Sequence, residues 1–166
     1  MRKCRIHMGE LVWVVLVLSL AADLVIAVWV QSDVFRIEFL QATPAVSAAS
    51  LAVGAVLLLV GCLLGYQSHE EFKRAMSAGG SIDHVIQDGL YRLVRHPFYL
   101  SLIVISISLA LLLRSLLLLA ASVVVAILLI AEARSEETAL AGRFGQEYLD
   151  YQRRTGMFLP RVGGRD

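Results

Sequence analysis

Residues 98–131 read FYLSLIVISISLALLLRSLLLLAASVVVAILLIA, thirty-four residues with a single charge, Arg114. As one helix rising ~1.5 Å per residue, this run would be about 51 Å long, against a bilayer hydrocarbon core of about 30 Å. It has to fold back. The charge marks the place: a turn at Arg114 and Ser115 divides the run into two short spans, residues 97–113 and 115–131. The turn carries neither glycine nor proline. Such a helical hairpin makes the C-terminal half of the chain an all-α membrane structure.

Two further apolar runs precede the hairpin. Residues 11–30 hold one charge, Asp23, and residues 45–66 follow Pro44 and contain Gly54, Gly61 and Gly65, small residues that let helices approach closely. Arg2, Lys3 and Arg5 ahead of the first run resemble the start of a signal peptide, but its apolar stretch outlasts the usual h-region of roughly 7–15 residues, so it reads as a span. The expected fold class is an all-α integral membrane protein with about four transmembrane helices, a C-terminal hairpin and a cytoplasmic amphipathic helix, one membrane domain over residues 1–166. Composition agrees, since 58% of the 166 residues are apolar and 17% charged, which excludes disorder and disfavours a water-soluble globule.

Fifteen Lys and Arg against fourteen Asp and Glu leave a formal charge of +1, so no overall basic field recruits nucleic acid. The basic residues are nevertheless sorted by loop. Three precede the first run, then come Arg36 alone, four in residues 67–96, Arg114 alone, and six in residues 132–166. The positive-inside rule puts both termini and both polar segments in the cytoplasm.

Those two segments flank the hairpin and hold nearly every chemically useful side chain. Arg95, His96 and Pro97 stand where a loop becomes a helix. Proline suits the first helical position, and the unpaired N–H groups of the first turn attract anions, with Arg95 adding charge. The same residues also read as a helix start with an arginine anchored at the head groups. Glu136 and Glu137 border an apolar stripe through Leu140, Phe144 and Tyr148, so one of them can face inward; a solvated turn paired with Arg134 or Arg143 is the alternative. Gly142 and Gly145 predict a helix break around residues 143–145 and a short helix through Tyr148 and Tyr151. Tyr91 and Tyr99 flank the Arg-His-Pro turn, either as belt residues or as aromatic faces for a cation. Asp23 inside a span has to face protein or water. His69 and His84 are isolated in polar sequence, His7 is near the terminus, and with Cys4 and Cys62 the only cysteines, no metal site is expected.

Residues 88–99, DGLYRLVRHPFY, then the hairpin, Glu136-Glu137, residues 144–151, FGQEYLDY, and Pro160 form one ordered pattern. It resembles the isoprenylcysteine carboxyl methyltransferase and phospholipid methyltransferase superfamily over about residues 84–162. Ser101 departs from the pattern, standing where many relatives have glycine. The resemblance implies an S-adenosylmethionine-dependent methyltransferase whose cofactor binds at the cytoplasmic end of the C-terminal helices. A lipophilic or lipid acceptor would arrive from the bilayer, either an isoprenylcysteine-like carboxylate or a phospholipid amine. It also implies cofactor contacts from Tyr91, Arg95, His96, Pro97, Tyr99, Glu136 and Glu137. Two other functions are weighed against it. Sterol reductases share an Arg-His-Pro segment in a similar C-terminal region, which raises a nicotinamide-dependent membrane reductase, although they have more spans than this chain supplies. A non-catalytic membrane protein that binds lipid or a partner is the third.

Overall fold

The computed structural model describes residues 43–75 and 84–161. The first apolar run, with Asp23, His7 and the basic residues around it, lies outside the described residues. Those described contain four α-helices and no strand: α1 (Pro44–Ala75), α2 (Pro97–Leu113), α3 (Leu116–Phe144) and α4 (Gln146–Arg154), with a 3-10 turn at Gly89–Arg92 before α2. Helices α1 and α3 are long and apolar enough to cross a membrane; α2 is apolar but only 17 residues long.

Helix α1 starts as its sequence directs. Thr43 caps it, its Oγ1 accepting from the Val46 N–H at 3.2 Å, and Pro44 takes the first helical position. It does not stop at residue 66. Nine more residues stay helical through Ala75, because six of them, Gln67, Glu70, Glu71, Lys73, Arg74 and Ala75, are good helix formers, Glu70 and Lys73 pair at 3.2 Å, and Lys73 and Arg74 complement the dipole in the last turn. Helix α3 likewise runs past residue 131 to Phe144, carrying Glu136 and Glu137 on its length. In both cases apolar length reports what suits a bilayer, whereas the hydrogen-bonded ladder continues for as long as local propensity allows.

The described residues form two compact units, residues 43–60 with 103–132, and residues 61–75 with 84–102 and 133–161. In the first, the hairpin turns at Arg114 and Ser115, as the lone charge indicates. Arg114 adopts φ +51°, and the Ser115 N–H reaches the Ala110 carbonyl at 3.0 Å, a helix stop that glycine usually supplies. A left-handed arginine costs about 1–2 kcal/mol. Partly offsetting this, the Arg114 guanidinium donates to Ser47 Oγ at 2.6 Å, and Ser115 Oγ caps α3 by accepting from the Leu118 N–H at 3.2 Å. Ala110, Leu118, Ala121, Val125 and Leu129 form the buried core of this unit. Gly54 admits Leu112 so closely that an added Cβ would lie 2.9 Å from Leu112 Cγ.

In the second unit, Gly65 faces Ser101. A Cβ on Gly65 would meet Ser101 Oγ at 3.0 Å, and that hydroxyl is satisfied by the Phe98 carbonyl at 2.6 Å. The serine at 101 is therefore accommodated by a glycine opposite it. The tail closes with an apolar cluster in which Tyr148, Tyr151 and Val85 are buried and Leu140, Ala141 and Phe144 pack against them. The break between α3 and α4 falls at Gly145, with φ +56°, while Gly142 remains inside α3.

Candidate functional site

All the groups that converge here belong to the second unit. The approach to the Arg-His-Pro turn is held from α1: both carboxylate oxygens of Glu71 accept from the Leu90 N–H, at 2.9 and 3.2 Å. Gly89, at φ +58°, leaves room for that carboxylate, and any Cβ there would collide with it. The turn is then strapped to the tail. Val94 pairs with Gly156 in a parallel bridge, the Arg95 N–H donates to the Gly156 carbonyl at 2.8 Å, and the His96 N–H donates to the Met157 carbonyl at 3.2 Å. Pro97 is buried at the head of α2.

This strap and α3 bring the two sequence patterns together. Arg95 Nε donates to Glu137 Oε1 at 2.7 Å, with both side chains about 10% exposed. The same guanidinium donates through one terminal nitrogen to the carbonyls of Gln152, at 3.1 Å, and Thr155. His96 Nε2 lies 3.2 Å from Glu137 Oε1, and Gln152 Nε2 donates to Glu137 Oε2 at 2.9 Å. Glu137 is thus the buried member of the acidic pair. Successive residues on a helix point about 100° apart, so Glu136 faces elsewhere: its side chain is 45% exposed, it accepts from Tyr99 O–H at 2.8 Å, and it lies 3.6 Å from His96 Nδ1. The rings of His96 and Tyr99 stack with centroids 5.5 Å apart. Tyr91 contributes its carbonyl, which accepts from Tyr151 O–H at 2.6 Å.

Arg95, His96, Pro97, Tyr99, Glu136, Glu137 and Tyr91 therefore fall within one neighbourhood. Sequence reading missed Glu71, Gln152, Thr155 and Gly156, which hold that neighbourhood in place. None of the four carries a local signal, because each acts through a backbone group or a residue far away in the chain.

The electrostatics set a window of stability. Burial holds the His96 imidazole below its ordinary value of 6.5, outweighing Glu137, which raises it. The native state then binds fewer protons than the unfolded one, so this contribution is complete above pH 6.5 and is lost as pH falls through the lowered value. Burial, with Glu71 and Glu136 adding to it, pushes Tyr91 up from 10.0 to about 12, and burial also raises Tyr148 and Tyr151. Their contribution is present below pH 10.0 and is lost as pH rises through the raised values. Thermal unfolding in detergent is expected to show a plateau in midpoint between about pH 6.5 and 10, falling on both sides. A midpoint that climbs on acidification from pH 6.5 would contradict the burial of a neutral His96.

Taken together, an acidic and phenolic face (Glu136, Tyr99, His96 Nδ1) stands beside a buried arginine–carboxylate lock. Such a face accepts N–H and O–H donors and tolerates positive charge. Residues 49–147 match the family model described as phospholipid methyltransferase, more than half of the chain, and the chain belongs to that family. No curated protein and no solved structure matches it. With two helices of membrane-crossing length in a membrane-associated family, it is a membrane protein.

Proposed function

From membership of the phospholipid methyltransferase family, we infer that this chain is an S-adenosylmethionine-dependent methyltransferase acting on a lipophilic or membrane-embedded acceptor. The observation that carries the reading is the meeting of Arg95 and His96 with Glu136 and Glu137, from patterns forty residues apart, in one half-open cluster. The donor set suits the cofactor. Glu136, Tyr99 and His96 offer acceptors for an amino group or ribose hydroxyls, and the first turn after Pro97 offers backbone N–H groups for a carboxylate. When bound, the cofactor supplies an electrophilic methyl group on a sulfonium.

The protein's part is alignment and the exclusion of water. Arg95 and Glu137 hold His96 and the tail in register, Tyr99 orients the Glu136 carboxylate, and the tyrosine faces accept positive charge without attacking it. A carboxylate acceptor needs no base, whereas an amine acceptor has to lose a proton first. Four spans, with both termini and the site at the cytoplasmic face, complete the proposed topology. The acceptor would enter along the bilayer with its reactive head at the depth of the cluster. The family match supports methyl transfer over nicotinamide-dependent reduction.

Calorimetry with S-adenosylhomocysteine on the protein in detergent tests the reading. Saturable binding is expected, weakened in Glu136→Gln by about 1.5–3 kcal/mol, the worth of a hydrogen bond to a charged group. No saturable binding by the wild type would sink it. Labelled methyl donor offered with prenylcysteines, aminophospholipids and small apolar acids then identifies the acceptor by its labelled product.

A further inference from the structure

Glu137 accepts three side-chain donors. Arg95 and His96 share Oε1, at 2.7 and 3.2 Å, and among the described side chains Gln152 holds Oε2, donating to it at 2.9 Å. The orientation of the Gln152 amide follows from chemistry, since its oxygen turned toward Oε2 would set two acceptors against each other. Its backbone carbonyl meanwhile accepts from Arg95 at 3.1 Å, so one residue of α4 grips both halves of the ion pair.

We propose that Gln152 is a positioning residue: by holding Glu137 Oε2 it turns the carboxylate so that Oε1 keeps the His96 proton on Nε2 and leaves Nδ1 as a bare acceptor toward Glu136. The chemical consequence rests on the function proposed above. A guanidinium-paired carboxylate only accepts, so His96 Nε2 has to donate, and in a neutral imidazole the other nitrogen is then without a proton. His96 is faced by Arg95 from its own segment, Tyr99 from α2, Glu136 and Glu137 from α3, and Phe158 from the tail. Nδ1 and Glu136 Oε2, 3.6 Å apart, make an acceptor pair that welcomes a ligand bearing N–H or O–H donors and repels an anion.

The test is nitrogen NMR of histidine-labelled full-length protein in detergent micelles, free of ligand, with the His96 signal assigned by its loss in His96→Gln. In the wild type the neutral ring is expected to carry its proton on Nε2. Gln152→Met keeps the length and removes the donor, leaving the Glu137 charge less compensated. The His96 titration midpoint should rise by roughly 0.5–1 pH unit, and Gln152→Glu, which adds a second negative charge, should raise it further. A merely structural role would leave the midpoint where it was. A proton on Nδ1 in the wild type, which needs no variant to observe, overturns the proposal; so does an unchanged midpoint in both folded variants. S-adenosylhomocysteine binding on the same samples separates the two readings. A wild type that does not bind but has the expected tautomer defeats the assigned function only, and one that binds with an unmoved His96 defeats only the role of Gln152.

Discussion

Arg95→Ala is expected to lower the folding free energy by about 3–5 kcal/mol, the usual cost of removing one partner from a buried ion pair. The substitution leaves the Glu137 carboxylate, about 10% exposed, without the guanidinium that compensates it. It also removes the donors to the carbonyls of Gln152 and Thr155, so the tail loses its hold on the turn at the same time. Lysine is not expected to rescue it, because one ammonium on a flexible stem cannot serve a carboxylate and two carbonyls that diverge around a planar fork. Replacing both charges tests the cause. Arg95→Met with Glu137→Met should cost less than Arg95→Ala alone, since no uncompensated charge stays buried. Reversible unfolding in mixed micelles measures all of these, and a loss below about 1 kcal/mol for Arg95→Ala would place the pair among surface contacts.

Gly156→Ala is expected to be the most damaging single-methyl change, at about 2–3 kcal/mol or more. A Cβ there would land on the Leu159 carbonyl oxygen, and a backbone atom cannot swing aside as a side-chain tip does. Yielding would shift the segment whose carbonyls at 156 and 157 receive the Arg95 and His96 amides, so on the proposed function the substitution should weaken S-adenosylhomocysteine binding together with stability. Gly142→Ala is the control. It lies in α3 with nothing within 4 Å of its added Cβ, and the same methyl should stabilise by about 0.5–1 kcal/mol through helix propensity. Equal unfolding midpoints for the two variants would remove the steric argument.

Much of the helical framework is legible before any coordinates. The length of the apolar run at 98–131 forces a reversal, Arg114 marks it, Pro97 starts α2 and Gly145 separates α3 from α4. The ends of the helices are less so: α1 and α3 continue through polar sequence that apolar length does not register. Within the site, the motif residues stand out by type and spacing, yet their division of labour does not. Glu136 and Glu137 are identical in sequence, and only the rotation of α3 against the turn makes one the buried partner of Arg95 and the other the half-exposed partner of Tyr99.

Hydrophobic length and helix punctuation are local properties, carried by each residue's own side chain and its immediate neighbours, and they determined the all-α membrane class and the hairpin. The supports of the site are of another kind. Glu71 reaches a backbone N–H nineteen residues away, and Gln152, Thr155 and Gly156 act on Arg95 from about sixty residues along the chain, through carbonyls common to every amino acid. A contact made by backbone leaves no mark on residue type, so only the tertiary structure decided which groups hold the Arg-His turn and which carboxylate is left facing outward.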